Sequence, residues 1–110
     1  MKADMKIIII GAGVAGLSIG WRLLQAGAQV TILERAQAGS GATWAAAGMI
    51  ALAAELEKSP PVEVVFARQS NGLWPDFVKE VEAVSGSAIG YARSGALLLR
   101  GDATTMASRA

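Results

Sequence analysis

The feature that most constrains this chain is the sequence IIIIGAGVAG, which runs from Ile7 to Gly16. Four consecutive β-branched residues predict a strand at Lys6–Ile10, of the kind that lies in a parallel sheet covered on both faces. Three glycines follow in the spacing G-x-G-x-x-G, and beyond them the apolar pattern becomes helical. The sequence therefore predicts a strand, a tight turn and a helix in direct succession.

The next segment completes a supersecondary unit. A helix is predicted over Val14–Ala26, with Gly27 at the position of a left-handed C-terminal cap. QVTIL, Gln29–Leu33, predicts a second strand. The helix carries one apolar stripe, formed by Leu17, Trp21 and Leu24 with Leu23 beside them. Strand, helix and strand within about 30 residues predict a right-handed βαβ unit and an α/β fold.

Each glycine of the turn has a physical role in binding a dinucleotide. Gly11 permits the tight turn, Gly13 lets the backbone approach a pyrophosphate, and Gly16 allows close packing of helix and strand. Glu34 lies 18 residues beyond Gly16, about the spacing of a carboxylate that accepts from ribose hydroxyls. A glycine turn used only for packing is the alternative, but the strand, helix and acid together favour dinucleotide binding. The carboxylate disfavours NADP and leaves NAD and FAD open.

A second segment, GSGATWAAAGMI over residues 39–50, is rich in small residues. Small residues let the backbone pass close to a flat, bulky group, and the Thr43 hydroxyl can bind phosphate. The alternative is a helix of small residues packed tightly on its neighbour, and the residues alone favour neither. A helix is expected to begin at Trp44 and to be interrupted by Gly48.

The remainder of the chain predicts a helical region and two short strands. Val62–Val84 has helical periodicity, with Gly72 and Pro75 indicating either a kink or two helices. Ser85-Gly86-Ser87 should end the helix. The predicted strands are Tyr91–Arg93 and Ala96–Leu99.

Composition excludes several classes of function. The chain has 110 residues, 53% of them hydrophobic and 17% charged, with a net charge of +1. These values predict a packed protein without a basic surface for nucleic acid. Cysteine and histidine are absent, which excludes disulfides and histidine-ligated metal. No apolar stretch approaches the roughly 20 residues of a membrane span, so a cytoplasmic protein is expected.

The glycine turn and "GATWAAAGMIA" together resemble the FAD-dependent D-amino-acid oxidase family, and within it the glycine oxidases of thiamine biosynthesis, ThiO. The segments "LWPDFVKEVEAVSG" and "GYARSGALLL" extend this resemblance from about Lys6 to Leu99. The resemblance implies FAD as the cofactor and a Rossmann-like fold. It also implies a set of cofactor-binding residues: Gly11, Gly13, Val14, Ala15 and Gly16 at the pyrophosphate, Glu34 and Arg35 at the ribose, Ala42 and Thr43 at the phosphates, and Ala47, Gly48 and Met49 at the isoalloxazine.

The chemistry implied by the resemblance is oxidation of glycine or another small amino acid. Hydride passes from the substrate α-carbon to flavin N5, and oxygen reoxidises the flavin with release of hydrogen peroxide. Such chemistry makes few demands on protein acid–base groups. The alternatives are a D-amino-acid dehydrogenase, a sarcosine oxidase, an NAD-dependent Rossmann enzyme, or a non-catalytic dinucleotide-binding module completed by a second chain.

Family members are several times longer than this chain. The chain is therefore expected to be an N-terminal fragment whose domain is incomplete, and the fragment is expected to be inactive by itself. Residues 1–85 are assigned to the FAD-binding domain and 86–110 to the first strands of a substrate domain. Catalytic residues cannot be assigned, because Arg93 and Arg100 are interpreted as surface arginines and not as a clamp for the substrate carboxylate. The expected partner is a small amino acid substrate, and the resemblance allows a homo-oligomer for the full-length protein.

Overall fold

A computed structural model describes residues 5–50, 52 and 59–95 of the chain. It contains two compact units, Met1–Met49 and Ile50–Ala110. The described secondary structure comprises two strands and three helices: β1 (Lys6–Ile10), α1 (Val14–Gln25), β2 (Gln29–Leu33), α2 (Ala42–Ala45) and α3 (Pro61–Ser85). The predicted α/β class and the βαβ unit are confirmed.

Strands β1 and β2 form a parallel two-stranded sheet in which Lys6 lies opposite Gln29 and Ile10 opposite Leu33. Both strands have the bounds that the sequence predicted, because runs of β-branched residues end at glycine or at charged residues. One hydrogen bond extends the ladder past the strands, from the Gly11 N–H to the Leu33 carbonyl at 2.8 Å. The glycine turn therefore leaves the sheet directly beside the end of β2.

Helix α1 approaches the sheet closely at Gly20. Gly20 is buried, and a Cβ built there would lie 3.1 Å from Ile32 Cδ1 and 3.3 Å from Ile9 Cδ1. Leu17 and Leu24 of the predicted stripe are instead exposed. Trp21 and Leu23 of the same stripe are half-buried, so the stripe is shielded from water only in part. The helix ends one residue before the predicted limit, and Gly27 has the expected left-handed conformation.

The sheet is covered on one face only within the described residues. Ile7, Ile9, Val30 and Ile32 are half-buried beneath α1, whereas alternate residues of each strand face away from the helix. On that second face Ile10 is 88% exposed and Ile8 68%. Within the first unit, α1 therefore covers one of the two faces that were expected to be covered.

The small-residue segment forms a short helix earlier than predicted. Helix α2 spans Ala42–Ala45 and follows Gly41, whose carbonyl accepts from the Trp44 N–H at 3.0 Å. The predicted helix start at Trp44 is wrong because Gly41 provides the N-cap three residues earlier. Gly48 has a positive φ of 73° and lies beyond the helix, in a segment without regular structure.

In the second unit, α3 is a single helix of 25 residues with Pro61 in its first turn. The alternative of two helices is wrong, because one helix runs through both Gly72 and Pro75. Proline lacks one backbone N–H, and a helix of this length retains hydrogen bonds on both sides of the gap. Gly86 adopts the left-handed conformation (φ 68°) and ends the helix where predicted.

The segment after α3 returns to the helix. The Ile89 N–H donates to Glu82 Oε1 at 2.9 Å, and the Tyr91 ring stacks on Trp74 with centroids 6.3 Å apart. Residues 91–95 adopt no regular structure, so the predicted strand Tyr91–Arg93 is wrong: a strand needs a ladder partner, and no described residue pairs with it. The predicted strand Ala96–Leu99 lies outside the described residues. None of the described helices is long and apolar enough to cross a membrane.

Candidate functional site

The candidate site is built around the turn between β1 and α1. Gly11 has a φ of 102°, a backbone conformation that residues with a side chain rarely adopt. A Cβ at Gly16 would overlap the Gly11 carbonyl oxygen, so the helix can lie this close to the turn only with glycine there. Two of the three glycine roles expected from the sequence, the tight turn and the close packing, therefore have a direct geometric basis.

Glu34, the first residue after β2, binds the glycine turn. Its Oε2 accepts from the Ala12 N–H at 2.8 Å, and its Oε1 accepts from the Ala36 N–H at 3.0 Å. The side chain remains exposed. These backbone donors, that of Ala12 first, lower the pKa of Glu34, and the charge of Arg35 adds the smallest contribution. Glu34 is therefore an ionised carboxylate beside the first turn of α1.

Thr43 reaches the same turn from α2. Its Oγ1 accepts from the Val14 N–H at 2.9 Å. A Cβ at Gly13 would lie 3.2 Å from this oxygen, so Gly13 leaves room for the hydroxyl. The loop before α2 adds a third bond, since the Gly39 N–H donates to the Ala12 carbonyl at 2.9 Å. The structure thus brings together the glycine turn, the carboxylate after β2 and the small-residue segment.

The remaining predicted site residues lie around this centre. Val14, Ala15 and Gly16 form the first turn of α1, Arg35 is exposed beside Glu34, and Ala42 begins α2. Ala47, Gly48 and Met49 follow α2 without regular structure, and Met49 is 73% exposed. Among the described residues, no hydrogen bond joins these three to the glycine turn. Their predicted place beside the isoalloxazine stays a prediction.

Sequence reasoning missed three residues of this arrangement. Ala12, which is 4% exposed, was passed over because it lies between two glycines, yet its N–H and carbonyl each bind another segment. Gly39 belongs to the small-residue segment, yet the sequence predicts no hydrogen bond for it or for Ala36. Gly39 has a φ of 75°, and its position in AQAGSGAT is the one signal that indicated a constrained backbone.

The donors and acceptors of the turn fit the ADP portion of a dinucleotide. No described residue accepts from the N–H groups of Gly13, Ala15 and Gly16, which lie at the positive end of the α1 dipole. Each Glu34 oxygen accepts one N–H and, with two lone pairs, can accept a further donor such as a ribose hydroxyl. Among the described residues no cluster of carboxylates could hold a metal ion.

Comparisons with known proteins agree with this geometry. The chain is 38% identical over 99 residues to "Glycine oxidase" of Geobacillus kaustophilus, an alignment that covers 90% of this chain and 26% of the relative. It is 39% identical over 71 residues to "Putative thiamine biosynthesis oxidoreductase ThiO" of Rhizobium etli, covering 64% and 22%. A shorter match, 52% over 33 residues, is to "D-amino acid dehydrogenase" of Neisseria meningitidis, covering 30% and 8%.

The chain spans about a quarter of the length of the glycine oxidases it matches. No solved structure gives a significant match. The sequence profile "FAD dependent oxidoreductase", DAO, matches residues 6–110, and the cofactor expected from the sequence, FAD, is thereby confirmed. The chain therefore belongs to the DAO family of FAD-dependent oxidoreductases.

Proposed function

We propose that this chain forms the ADP-binding part of the FAD site in an oxidoreductase that acts on glycine or another small amino acid. The observation that carries the proposal is the convergence of Glu34 and Thr43 on the glycine turn, 2.8 Å from the Ala12 nitrogen and 2.9 Å from the Val14 nitrogen. The similarity to relatives named glycine oxidase supports the choice of substrate class.

In this proposal the N–H groups at the start of α1 bind the pyrophosphate, and Glu34 accepts hydrogen bonds from the adenosine ribose. Thr43 lies at the phosphates, with Ala42 beside it and Arg35 beside the ribose. Ala47, Gly48 and Met49 line the isoalloxazine. When bound, FAD supplies the electron acceptor for oxidation of the amine, with oxygen as the final acceptor and hydrogen peroxide as a product.

The Glu34 carboxylate also determines which nucleotide fits. An ionised group at the ribose repels a 2′-phosphate and accepts from free hydroxyls, which favours FAD over NADP. Its lowered pKa keeps the carboxylate ionised at neutral pH. The oxidised amino acid is proposed to serve thiazole synthesis in the thiamine pathway, by similarity to the Rhizobium etli relative. The lack of cysteine fits a reducing compartment, and we propose that the protein acts in the cytoplasm.

The activity can be tested on the full gene product loaded with FAD. Hydrogen peroxide release is measured with glycine, sarcosine and D-alanine at equal concentrations, and the flavin-free protein is the control. We expect glycine-dependent peroxide release that requires FAD. Binding of FAD without peroxide from any of the three amines would contradict the oxidase proposal.

A D-amino acid dehydrogenase is the second candidate, supported by the 33-residue match at 52% identity. Such an enzyme passes electrons to an acceptor other than oxygen. The same protein would then reduce an artificial dye in the presence of D-alanine while releasing no hydrogen peroxide. The dye and peroxide assays in parallel therefore distinguish the two candidates.

A further inference from the structure

Helix α1 begins without a cap of its own. The residue before its first turn is Gly13, which has no side chain to accept a backbone N–H, and no cap hydrogen bond arises from it. Helix N-termini leave their first N–H groups without partners within the helix. One of these groups, the Val14 N–H, instead donates to Thr43 Oγ1, which lies 29 residues further along the chain.

The backbone on both sides of Thr43 is held by hydrogen bonds. Before α2, the Gly39 N–H donates to the Ala12 carbonyl at 2.9 Å. Within α2, the Ala46 N–H donates to the Ala42 carbonyl at 3.0 Å. Thr43 is half-buried although its helical neighbours Ala42 and Trp44 are exposed. Its hydroxyl therefore approaches Val14 from a fixed position.

The approach also depends on Gly13. A Cβ there would lie 3.2 Å from Thr43 Oγ1, closer than ordinary van der Waals contact, so a side chain at Gly13 would displace the hydroxyl. The absence of a side chain at Gly13 thus has a use within the protein itself. This use is additional to the role expected from the sequence, in which Gly13 leaves space for a pyrophosphate.

We propose that Thr43 is a positioning residue that caps α1 through the Val14 N–H and so fixes the first turn of the helix before the cofactor binds. With Val14 bound to Thr43 and Ala12 bound to Glu34, the turn keeps one orientation. Preorganisation of this kind raises affinity because less ordering is left to the binding step. The inference rests on the proposed FAD site for its functional consequence, and on the Val14 contact alone for its structural part.

The test compares Thr43→Val, Thr43→Ser and Ser40→Ala in the full gene product. Valine keeps the shape of threonine without the acceptor, and serine keeps the acceptor. Ser40 is the matched control, because its hydroxyl donates to the Gln37 carbonyl in the same loop at 2.7 Å and does not contact Val14. Thr43→Ala is the smaller replacement should the valine variant not fold.

Two quantities are measured for each variant: hydrogen exchange at the Val14 amide in flavin-free protein, and the Kd for FAD. Losing one uncharged hydrogen bond should accelerate Val14 exchange and raise the Kd, each by about threefold to tenfold, in Thr43→Val or Thr43→Ala. Thr43→Ser should restore both to within about twofold, and Ser40→Ala should leave both unchanged. Exchange at the Gly39 amide should stay constant throughout, since its acceptor is Ala12 and not Thr43.

Unchanged Val14 exchange in the valine or alanine variant would overturn the proposal. So would equal acceleration at Val14 and Gly39, because this would indicate general loosening of the loop, and so would failure of serine to restore either quantity. If Val14 exchange responds but the FAD Kd does not, positioning and the proposed place of Thr43 at the phosphates are both refuted, while the rest of the proposed FAD site stands. If the unaltered protein binds no FAD, the proposed function fails, and the exchange data still decide whether Thr43 caps the helix.

Discussion

Replacing Gly16 with alanine should separate α1 from the glycine turn, and Gly20→Ala provides the matched control. A Cβ at residue 16 would overlap the Gly11 carbonyl oxygen and lie 3.3 Å from Ile9 Cγ2. The Gly11 carbonyl is backbone and cannot rotate away, so the whole helix must move. A Cβ at residue 20 would instead meet the ends of flexible side chains, Ile32 Cδ1 at 3.1 Å and Ile9 Cδ1 at 3.3 Å.

The expected magnitudes differ by about 2 kcal/mol. Overpacking against an immovable neighbour costs up to about 3 kcal/mol, and alanine regains up to about 1 kcal/mol of helix propensity over glycine. We therefore expect Gly16→Ala to lower the free energy of unfolding by about 2 kcal/mol. At Gly20, displacing side-chain ends costs about 1 kcal/mol, which the same propensity gain offsets, so the net change is close to zero.

Chemical denaturation of the full gene product measures both changes from the midpoint and slope of the transition. FAD affinity should fall in Gly16→Ala and stay nearly unchanged in Gly20→Ala, because only the first substitution displaces the first turn of α1. Equal destabilisation by the two substitutions would refute the reasoning, since it would mean that contact with the Gly11 carbonyl does not set the helix position.

Three further predictions concern single side chains. Since backbone donors lower the pKa of Glu34 below 4.5, its contribution to stability is complete above that pH and is lost as the pH falls through the lowered pKa. Glu34→Gln should reduce the loss of folding stability at acid pH, measured by unfolding across a series of pH values. An unchanged loss would mean that other carboxylates cause it. Gly72→Ala should stabilise α3 by about 0.5–1 kcal/mol in denaturation, because nothing lies within 4 Å of the added Cβ, whereas Gly86→Ala at φ 68° should destabilise. Tyr91→Ala should cost about 0.5–1.5 kcal/mol through loss of stacking on Trp74, and Tyr91→Phe, which retains the ring, should cost almost nothing; equal losses would exclude the ring contact.

The sequence predicted those parts of the fold that depend on local pattern. The bounds of β1 and β2 follow from β-branched runs that end at Gly11 and Glu34, and α1 ends at a glycine that takes the left-handed conformation. The helix face that contacts the sheet was not predictable in this way. A periodicity of apolar residues indicates which residues avoid water, but the packing of α1 is set by the volume of the isoleucines beneath Gly20.

The sequence predicted some residues of the candidate site, but it predicted neither their hydrogen bonds nor the part played by Ala12. The glycine spacing and the distance to Glu34 identified the turn and the carboxylate, and the small-residue segment identified Thr43. Spacing cannot show which backbone N–H each side chain accepts, because that depends on the loop conformation set by Gly39 and Gly41. The Ala12 and Val14 contacts therefore emerged only from the three-dimensional arrangement.

The central claim, that the glycine turn with Glu34 and Thr43 binds the ADP portion of FAD, is tested most directly by ligand competition. FAD binding to the flavin-free full gene product is followed by flavin fluorescence while ADP or its 2′-phosphorylated analogue is added. We expect ADP to displace FAD and the 2′-phosphorylated compound to be a much weaker competitor, because its phosphate would meet the ionised Glu34. Absence of competition by ADP, or equal competition by both compounds, would contradict the claim.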